Sequence, residues 1–331
     1  MMKIGILALE DCTPMAMIGP MEILNKAGRY YNELYEVINE ESFFDVRLIS
    51  YSSKMVNTAN GYPIYCHNTI HDVGDLDLVL ISGLDGDIDK QLKLNYHFVD
   101  WVKQQYTNGT EIASICTGAF ILAETGLLDG KSATTHWAAS EYFKLKYPQI
   151  TLLPQEIIVD DGNIYTSGGA TSFQNLMIYL IEKFCGKDIA NYTAKMLLID
   201  INKEPQSSYA IFSTQKLHTD KEILIAQKFI ENNFTKHISL DQISSEVAIS
   251  KRNFIRRFKN ATGNTPIEYI QRVRVEAVKK SLETTQKTIE EIVRSIGYDD
   301  MTTFRKLFKR ITGISPNEYR KKYTRFVYTL N

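Results

Sequence analysis

Two residues in the first half of this chain have the types needed for nucleophilic chemistry. Cys116 stands in Ser114-Ile115-Cys116-Thr117-Gly118-Ala119, and His136 stands twenty residues later in Thr134-Thr135-His136-Trp137. A thiol with an imidazole in reach is the minimum for a nucleophile and its base. The second half offers different chemistry. Lys251, Arg252, Arg256, Arg257 and Lys259 crowd one short stretch, and Arg305, Lys306 and Lys309 crowd another. Cations clustered this way suit a polyanion.

The thiol depends on what surrounds it. Glu111–Ile115 reads as a buried strand and Ala119 onward as a helix carrying Phe120, Leu122 and Ala123. A corner between strand and helix presents its side chain at the strand's end, where the next amides face it. The positive helix end predicts a lowered thiol pKa. Other strands are expected at 3–9, 44–50, 77–83 and 164–167. Helices are expected from Gly19 to about Gly28, over 99–106 and over 172–184. Strands alternating with helices imply a parallel sheet covered on both faces. Gly83-Leu84 and Gly168-Gly169 end strands, where they are either a pocket rim or ordinary turn chemistry.

The basic clusters sit in a repeat. Phe254, Phe258, Thr262-Gly263, Thr265-Pro266, Glu268 and Tyr269 recur as Phe304, Phe308, Thr312-Gly313, Ser315-Pro316, Glu318 and Tyr319, always 50 residues on. Upstream, Ile243, Val247 and Ala248 match Ile292, Ile296 and Gly297 at an offset of 49. Such self-similarity means two copies of one supersecondary unit. Each copy reads as a short helix, a tight turn and a basic second helix whose Phe pair points inward. That is a helix-turn-helix, and its second helix suits a major groove. Thr265-Pro266 with Glu268, and Ser315-Pro316 with Glu318, start the following helices with capping boxes. Ile270, Val273, Ala277, Val278 and Leu282 mark a connecting helix.

Charge separates the halves. Residues 220–331 hold 22 Lys and Arg against 13 Asp and Glu, a surplus of nine positive charges. The whole chain is at −1, so residues 1–219 carry −10. A basic domain on an acidic one fits a phosphate backbone, where the bland alternative is a solvated helical bundle. No apolar run is long enough to cross a bilayer. Cys12, Cys66, Cys116 and Cys185 are scattered without metal-ligand spacing, so no metal or cofactor is expected, and a reduced cytosol fits. Cys12, Cys66 and Cys185 read as small buried apolar residues.

Residues 239–323 resemble the AraC/XylS-type DNA-binding domain. The match includes the Gly297-Tyr298 turn and the Ser315-Pro316-x-Glu318-Tyr319-Arg320 ending. The resemblance implies two recognition helices in successive major-groove segments. By position, Arg252, Ile255 and Arg256 would face bases from the first, and Met301, Thr302, Arg305 and Lys306 from the second. Arg suits guanine and Thr or Met a thymine methyl, whereas Lys251, Lys259 and Lys309 would meet phosphate.

Residues 1–186 resemble the DJ-1/PfpI superfamily, through Cys116-Thr117-Gly118-Ala119, Leu122-Ala123, Gly126-Leu127-Leu128-Asp129-Gly130 and Thr134-Thr135-His136-Trp137. The details and the domain order are similar to the GlxA-like branch of transcription regulators. The resemblance implies a flavodoxin-like α/β sandwich followed by an all-α domain. In the domain layout it implies, residues 1–186 sense a ligand, 187–219 form a linker, and 220–331 bind DNA through units at about 240–263 and 289–313. It implies a homodimer formed by the first domain and a small-molecule effector held near Cys116, Thr117, His136, Trp137, Gly83, Leu84, Gly168 and Gly169. One position departs from the pattern. Active members place an acid four residues ahead of the Pro of the Gly19-Pro20 pair, and here it is Ala16, with Glu22 further along as a substitute partner. Without that acid, proton transfer at Cys116 lacks its usual partner, so a regulator is expected rather than an enzyme. Two other readings stay open at this point: a cysteine-dependent hydrolase, hydratase or lyase that also binds DNA, and a redox sensor acting through Cys116.

Overall fold

Apolar residues run without alternation along the central strands, and this dictates a sheet buried on both faces. In the computed structural model, which describes residues 1–37, 42–202, 204–216 and 218–324, that sheet has seven strands. Its members are β1 (Met2–Leu7), β2 (Phe44–Ser50), β5 (Asn68–Thr69), β6 (Leu78–Ile81), β7 (Glu111–Ile115), β10 (Ile158–Asp160) and β11 (Ile164–Ser167). The order is β10-β11-β7-β6-β1-β2-β5, and only the β10–β11 pair is antiparallel. Two short ladders lie outside it: β3 (Met55–Asn57) with β4 (Pro63–Tyr65), and β8 (Ser132–Ala133) with β9 (Thr151–Leu152). Ile4, Ile6, Val79, Leu80, Ile112 and Ile115 are fully buried.

Helices flank the sheet in two groups. The first is α1 (Met15–Leu34), α6 (Phe173–Cys185) and α7 (Lys187–Met196). The second is α2 (Ile88–Asn95), α3 (Phe98–Thr107) and α4 (Ala119–Glu124), and α5 (Ser140–Lys146) follows. α1 extends beyond the expected 19–28 at both ends: Ala16 and Met17 are buried ahead of Gly19, and Tyr31 packs on the core beyond Gly28. The unit ends at Gln206.

The expected 187–219 linker is corrected. Ile189, Ala190, Thr193 and Ala194 form the buried face of α7, which packs on α1 and α6, so these residues belong to the first unit. The stretch after Gln206 belongs to the second, which runs from Ser207. There Phe212 meets the Tyr269 ring edge-on at 5.3 Å, and the buried Lys279 donates to the Ala210 carbonyl. Of the expected 220–331 domain, residues 325–331 lie outside the described residues, as do 203 and 217 of the linker.

The second unit is helical: α8 (Lys221–Asn233), α9 (Leu240–Glu246), α10 (Lys251–Thr262), α11 (Pro266–Thr284), α12 (Ile289–Ser295), α13 (Met301–Thr312) and α14 (Pro316–Tyr323). Four of them begin with capping boxes: Ser239 with Gln242, Thr265 with Glu268, Thr288 with Glu291 and Ser315 with Glu318. Each box satisfies two orphan amide groups. Two hydrophobic clusters result. One holds Ile243, Phe254, Phe258 and Tyr269, and the other holds Ile292, Phe304, Phe308 and Tyr319. The helix α11 serves both, placing Tyr269 and Ile270 in the first and Val275, Val278 and Leu282 in the second.

Candidate functional site

In both α10 and α13, two Phe residues four apart are fully buried, and this turns the intervening cations outward. Lys251, Arg252, Arg256 and Lys259 are exposed on α10, and Thr302, Arg305, Lys306 and Lys309 on α13. The two helices are superimposable in sequence register, so Arg256 and Lys306 hold the same place, as do Lys259 and Lys309. Arg305, Lys306 and Lys309 line an open groove of about 620 Å³ together with Arg310 and the start of α14. Ile255 and Met301, expected to face bases, are half-buried, each packed on the core of its own motif. Their apolar side chains gain more from that core than from water.

Not every cation in the repeat is available. Arg257 forms a fork with Asp220, at 2.9 and 2.6 Å, and reaches Glu222 at 2.6 Å. That ties α10 to α8, and it holds the Asp220 carboxyl below its ordinary range, chiefly through the Arg257 hydrogen bond. Lys251 pairs with Asp241 of α9 at 3.0 Å, with both side chains largely in water. Such a pair is weak and exchangeable for a phosphate. Among the described residues, Arg256 bonds to Asn253 on its own helix alone, at 2.9 Å. Arg310, which lines the groove and also reaches Gln271 at 2.9 Å, was not anticipated, although it directly follows Lys309.

The turns fix how each basic helix leaves its partner. Ala248 and Gly297 both have positive φ, 53° and 78°. A Cβ on Gly297 would stand 2.4 Å from the Thr235 carbonyl oxygen, so only glycine fits there.

In the first unit, β7 delivers Cys116 to the corner in a strained conformation, with φ 57°. Gly83 lies beside it: a Cβ there would come 3.3 Å from that of Cys116. The Thr117 hydroxyl donates to the Leu84 carbonyl at 2.7 Å, and the Thr135 hydroxyl to the Cys116 carbonyl at 2.9 Å. Gly83, Leu84, Cys116, Thr117 and Thr135 therefore converge. His136 follows, its Nδ1 accepting the Ala138 amide at 3.0 Å and its ring tilted on Trp137 with centroids 5.3 Å apart. Among the described residues no hydrogen bond joins the Cys116 thiol to the His136 imidazole.

Electrostatics at the corner reverses the expectation. Burial pushes the Cys116 thiol up, outweighing the Thr117 hydrogen bonds that pull it down. The thiol is therefore protonated near neutral pH. Burial also lowers the His136 pKa, so the imidazole is neutral there. Ala16 is buried in α1, and Glu22 is exposed and paired with Lys26 at 3.2 Å, so it does not serve the thiol. Cys12, Cys66 and Cys185 are buried, with thiols raised to about 12, 11 and 12, chiefly by desolvation.

Gln206, unforeseen in the sequence, completes this face. Its Oε1 accepts from the Gly169 amide at 2.8 Å and the Trp137 amide at 3.3 Å. Its Nε2 faces the carbonyls of Thr135, Glu156 and Pro154 at 3.0, 2.9 and 3.2 Å. A Cβ on Gly168 would strike this side chain at 2.2 Å, and one on Gly169 would sit 3.6 Å from His136 Nε2. Nothing local in Pro205-Gln206-Ser207 signals the contact.

The chain's likeness to known proteins agrees with this geometry. A model of the DJ-1/PfpI family matches residues 2–183, and a helix-turn-helix domain model matches residues 243–322. The HTH-type transcriptional regulator GbdR of Pseudomonas aeruginosa is 22% identical over 320 residues, covering 96% of this chain and 84% of that one. The lactose operon transcription activator of Staphylococcus xylosus is 32% identical over 234 residues, covering 69% of this chain and 84% of that one. The crystal structure of an AraC family transcriptional regulator from Pseudomonas putida shares the fold of the first unit. It has a TM-score of 0.51 at 17% identity, over 60% of this chain and 100% of that one.

Proposed function

This chain belongs to the DJ-1/PfpI family and is a DNA-binding transcription regulator, and from that premise we propose that its α/β unit is a sensor for a small metabolite. The effector binds on the face formed by Gly83, Cys116, Thr117, His136, Trp137 and Gly169, where a protonated thiol and a neutral imidazole offer polar contacts without a charged nucleophile. The sensor unit also pairs two copies in the cytoplasm, so that four recognition helices meet an operator with two half-sites. Effector binding shifts the population of DNA-competent arrangements.

The observation that carries the DNA side is the matched register of Arg256 and Lys306, exposed on two copies of one basic helix. The base-reading set is Arg252, Arg256, Thr302, Arg305 and Lys306, and the phosphate set is Lys251, Lys259 and Lys309. Arg256→Ala should weaken a specific operator far more than random DNA, and Lys259→Ala should weaken both alike. A competition binding assay checks this, and equal losses for the two variants would refute the division of roles. On the sensor side, a thermal-shift screen of metabolites against the full chain should find compounds that raise its melting temperature. Replacing His136 with Ala should abolish that rise.

A further inference from the structure

We propose that Gln206 is a displaceable latch, and that its seat is a binding site for a primary carboxamide, which evicts Gln206 and frees the stretch leading into the DNA-binding unit. The inference rests on reading the α/β unit as the sensor.

The seat has two chemically opposite edges. The amides of Gly169 and Trp137 present donors to Oε1, and the carbonyls of Thr135, Pro154 and Glu156 present acceptors to Nε2. The orientation of the Gln206 amide is therefore fixed by chemistry, because the flipped group would set oxygen against three carbonyls. A carboxylate is a poor substitute for the same reason, since one of its oxygens would face that carbonyl edge without a proton to donate. A primary carboxamide matches both edges. The seat is also close-fitting: Gln206 is 2% exposed, and Gly168 leaves the space a Cβ would fill.

Its position gives the seat a regulatory meaning. It shares Gly169, Trp137 and the neighbourhood of His136 with the proposed effector face. Gln206 is the last residue of the first unit, and Ser207 begins the second. Its backbone amide also bonds to the Gln155 carbonyl at 2.8 Å, so the side chain and the backbone fasten this point together. An effector occupying the seat would replace the side-chain contacts and leave this point held by the single backbone bond to Gln155, which then opens more readily. A tethered group competes at an effective concentration on the order of millimolar, so a small probe must be used well above that.

The test is hydrogen exchange on the full chain with propionamide, with propionate as the isosteric control. Propionamide at about 100 mM, chosen to exceed the tethered competitor, should speed exchange of the peptide covering residues 204–212 several-fold. It should leave the Gly169 amide protected, because the ligand then bonds it. Propionate should do neither. In Gln206→Ala the 204–212 peptide should exchange at least tenfold faster without additive, and propionamide should slow exchange at Gly169 while leaving the 204–212 peptide unchanged. Gln206→Glu should release the same peptide. The latch is overturned if Gln206→Ala and Gln206→Glu exchange at the wild-type rate, or if propionamide acts no differently from propionate. Should both variants fail to fold, the wild-type comparison of the two probes decides alone. Metabolites that stabilise the chain while propionamide moves neither peptide would reject the latch and leave the sensor reading standing. Release by propionamide with no change in operator affinity would uphold the latch and place effector sensing elsewhere.

Discussion

The two helix-turn-helix motifs share a frame and differ in how that frame is secured. Phe254 and Phe258, Thr262, and Tyr269 answer to Phe304 and Phe308, Thr312, and Tyr319. The Thr262 and Thr312 hydroxyls each bond the carbonyl four residues back at 2.8 Å. Yet Arg257, clamped by Asp220 and Glu222, stands where the second motif has the apolar Leu307. The first motif starts its helices with neutral groups, Ser239 with Gln242 for α9 and, for α10, Ser250, whose side chain makes no capping bond. The second uses carboxylates, Glu291 for α12 and Asp300 for α13. A duplicated unit thus keeps its core and varies its fastenings. Its outward residues vary as well, with Arg252 and Arg256 against Thr302 and Lys306.

The largest test of this likeness is in the cores. Phe254→Ala and Phe304→Ala should each cost about 3–5 kcal/mol of stability. Each loss should localise to its own cluster, as read by amide exchange. A loss spread evenly over both motifs would mean that α11 couples them into one core.

Next come the outward residues. Arg256→Ala should cost about 1–3 kcal/mol at its preferred operator, as a bidentate base contact does. Lys306→Ala, lacking a fork, should cost less and change sequence preference less. Reversal of that order in operator titrations would show that the second helix carries the specificity.

The turns provide a smaller contrast. Gly297→Ala should destabilise by about 1–2 kcal/mol from its left-handed backbone alone, with the Thr235 clash adding to it. Ala248→Gly should be neutral or stabilise by up to about 1 kcal/mol, because Ala248 already bears that strain. Denaturant melts of both variants decide it.

The subtlest contrast is with acid. Hydrogen bonds from Thr288 hold Glu291, and those from Thr303 and Thr302 hold Asp300, below their ordinary values of 4.5 and 3.8. A carboxylate with a lowered folded pKa stabilises fully above its ordinary value, and that contribution fades as pH falls through the lowered one. Acidification below about 4.5 should therefore fray the starts of α12 and α13 while the starts of α9 and α10 hold. Amide exchange at Thr302, Thr303 and Gln242 follows this directly.

What could be read in advance tracks how local the determinants are. The 50-residue repeat, the buried strands at Phe44–Ser50 and Glu111–Ile115, and the outward cations all depend on near neighbours in sequence, and all were legible. The state of Cys116 was not, because desolvation is a sum over distant atoms and outweighs the local Thr117 hydrogen bonds. The half-burial of Ile255 and Met301 was not legible either, because sequence position does not reveal how far a core reaches under a helix. The expected linker differs from the structure for two reasons: Ile189, Ala190, Thr193 and Ala194 make a buried helical stripe, and the partners of the Gln206 side chain lie 37 or more residues away.

α11 is a ruler as well as a brace. One end is embedded in each cluster, so the angle between the two basic helices is set by a count of residues between Ile270 and Val275. One extra residue there would rotate the far motif by about 100° and advance it by about 1.5 Å, turning its cations off the duplex. Seven extra residues would nearly restore the facing but carry the motif about 10 Å onward, almost a third of a turn of the double helix. The length of α11 thus sets the separation and relative facing of the two basic helices.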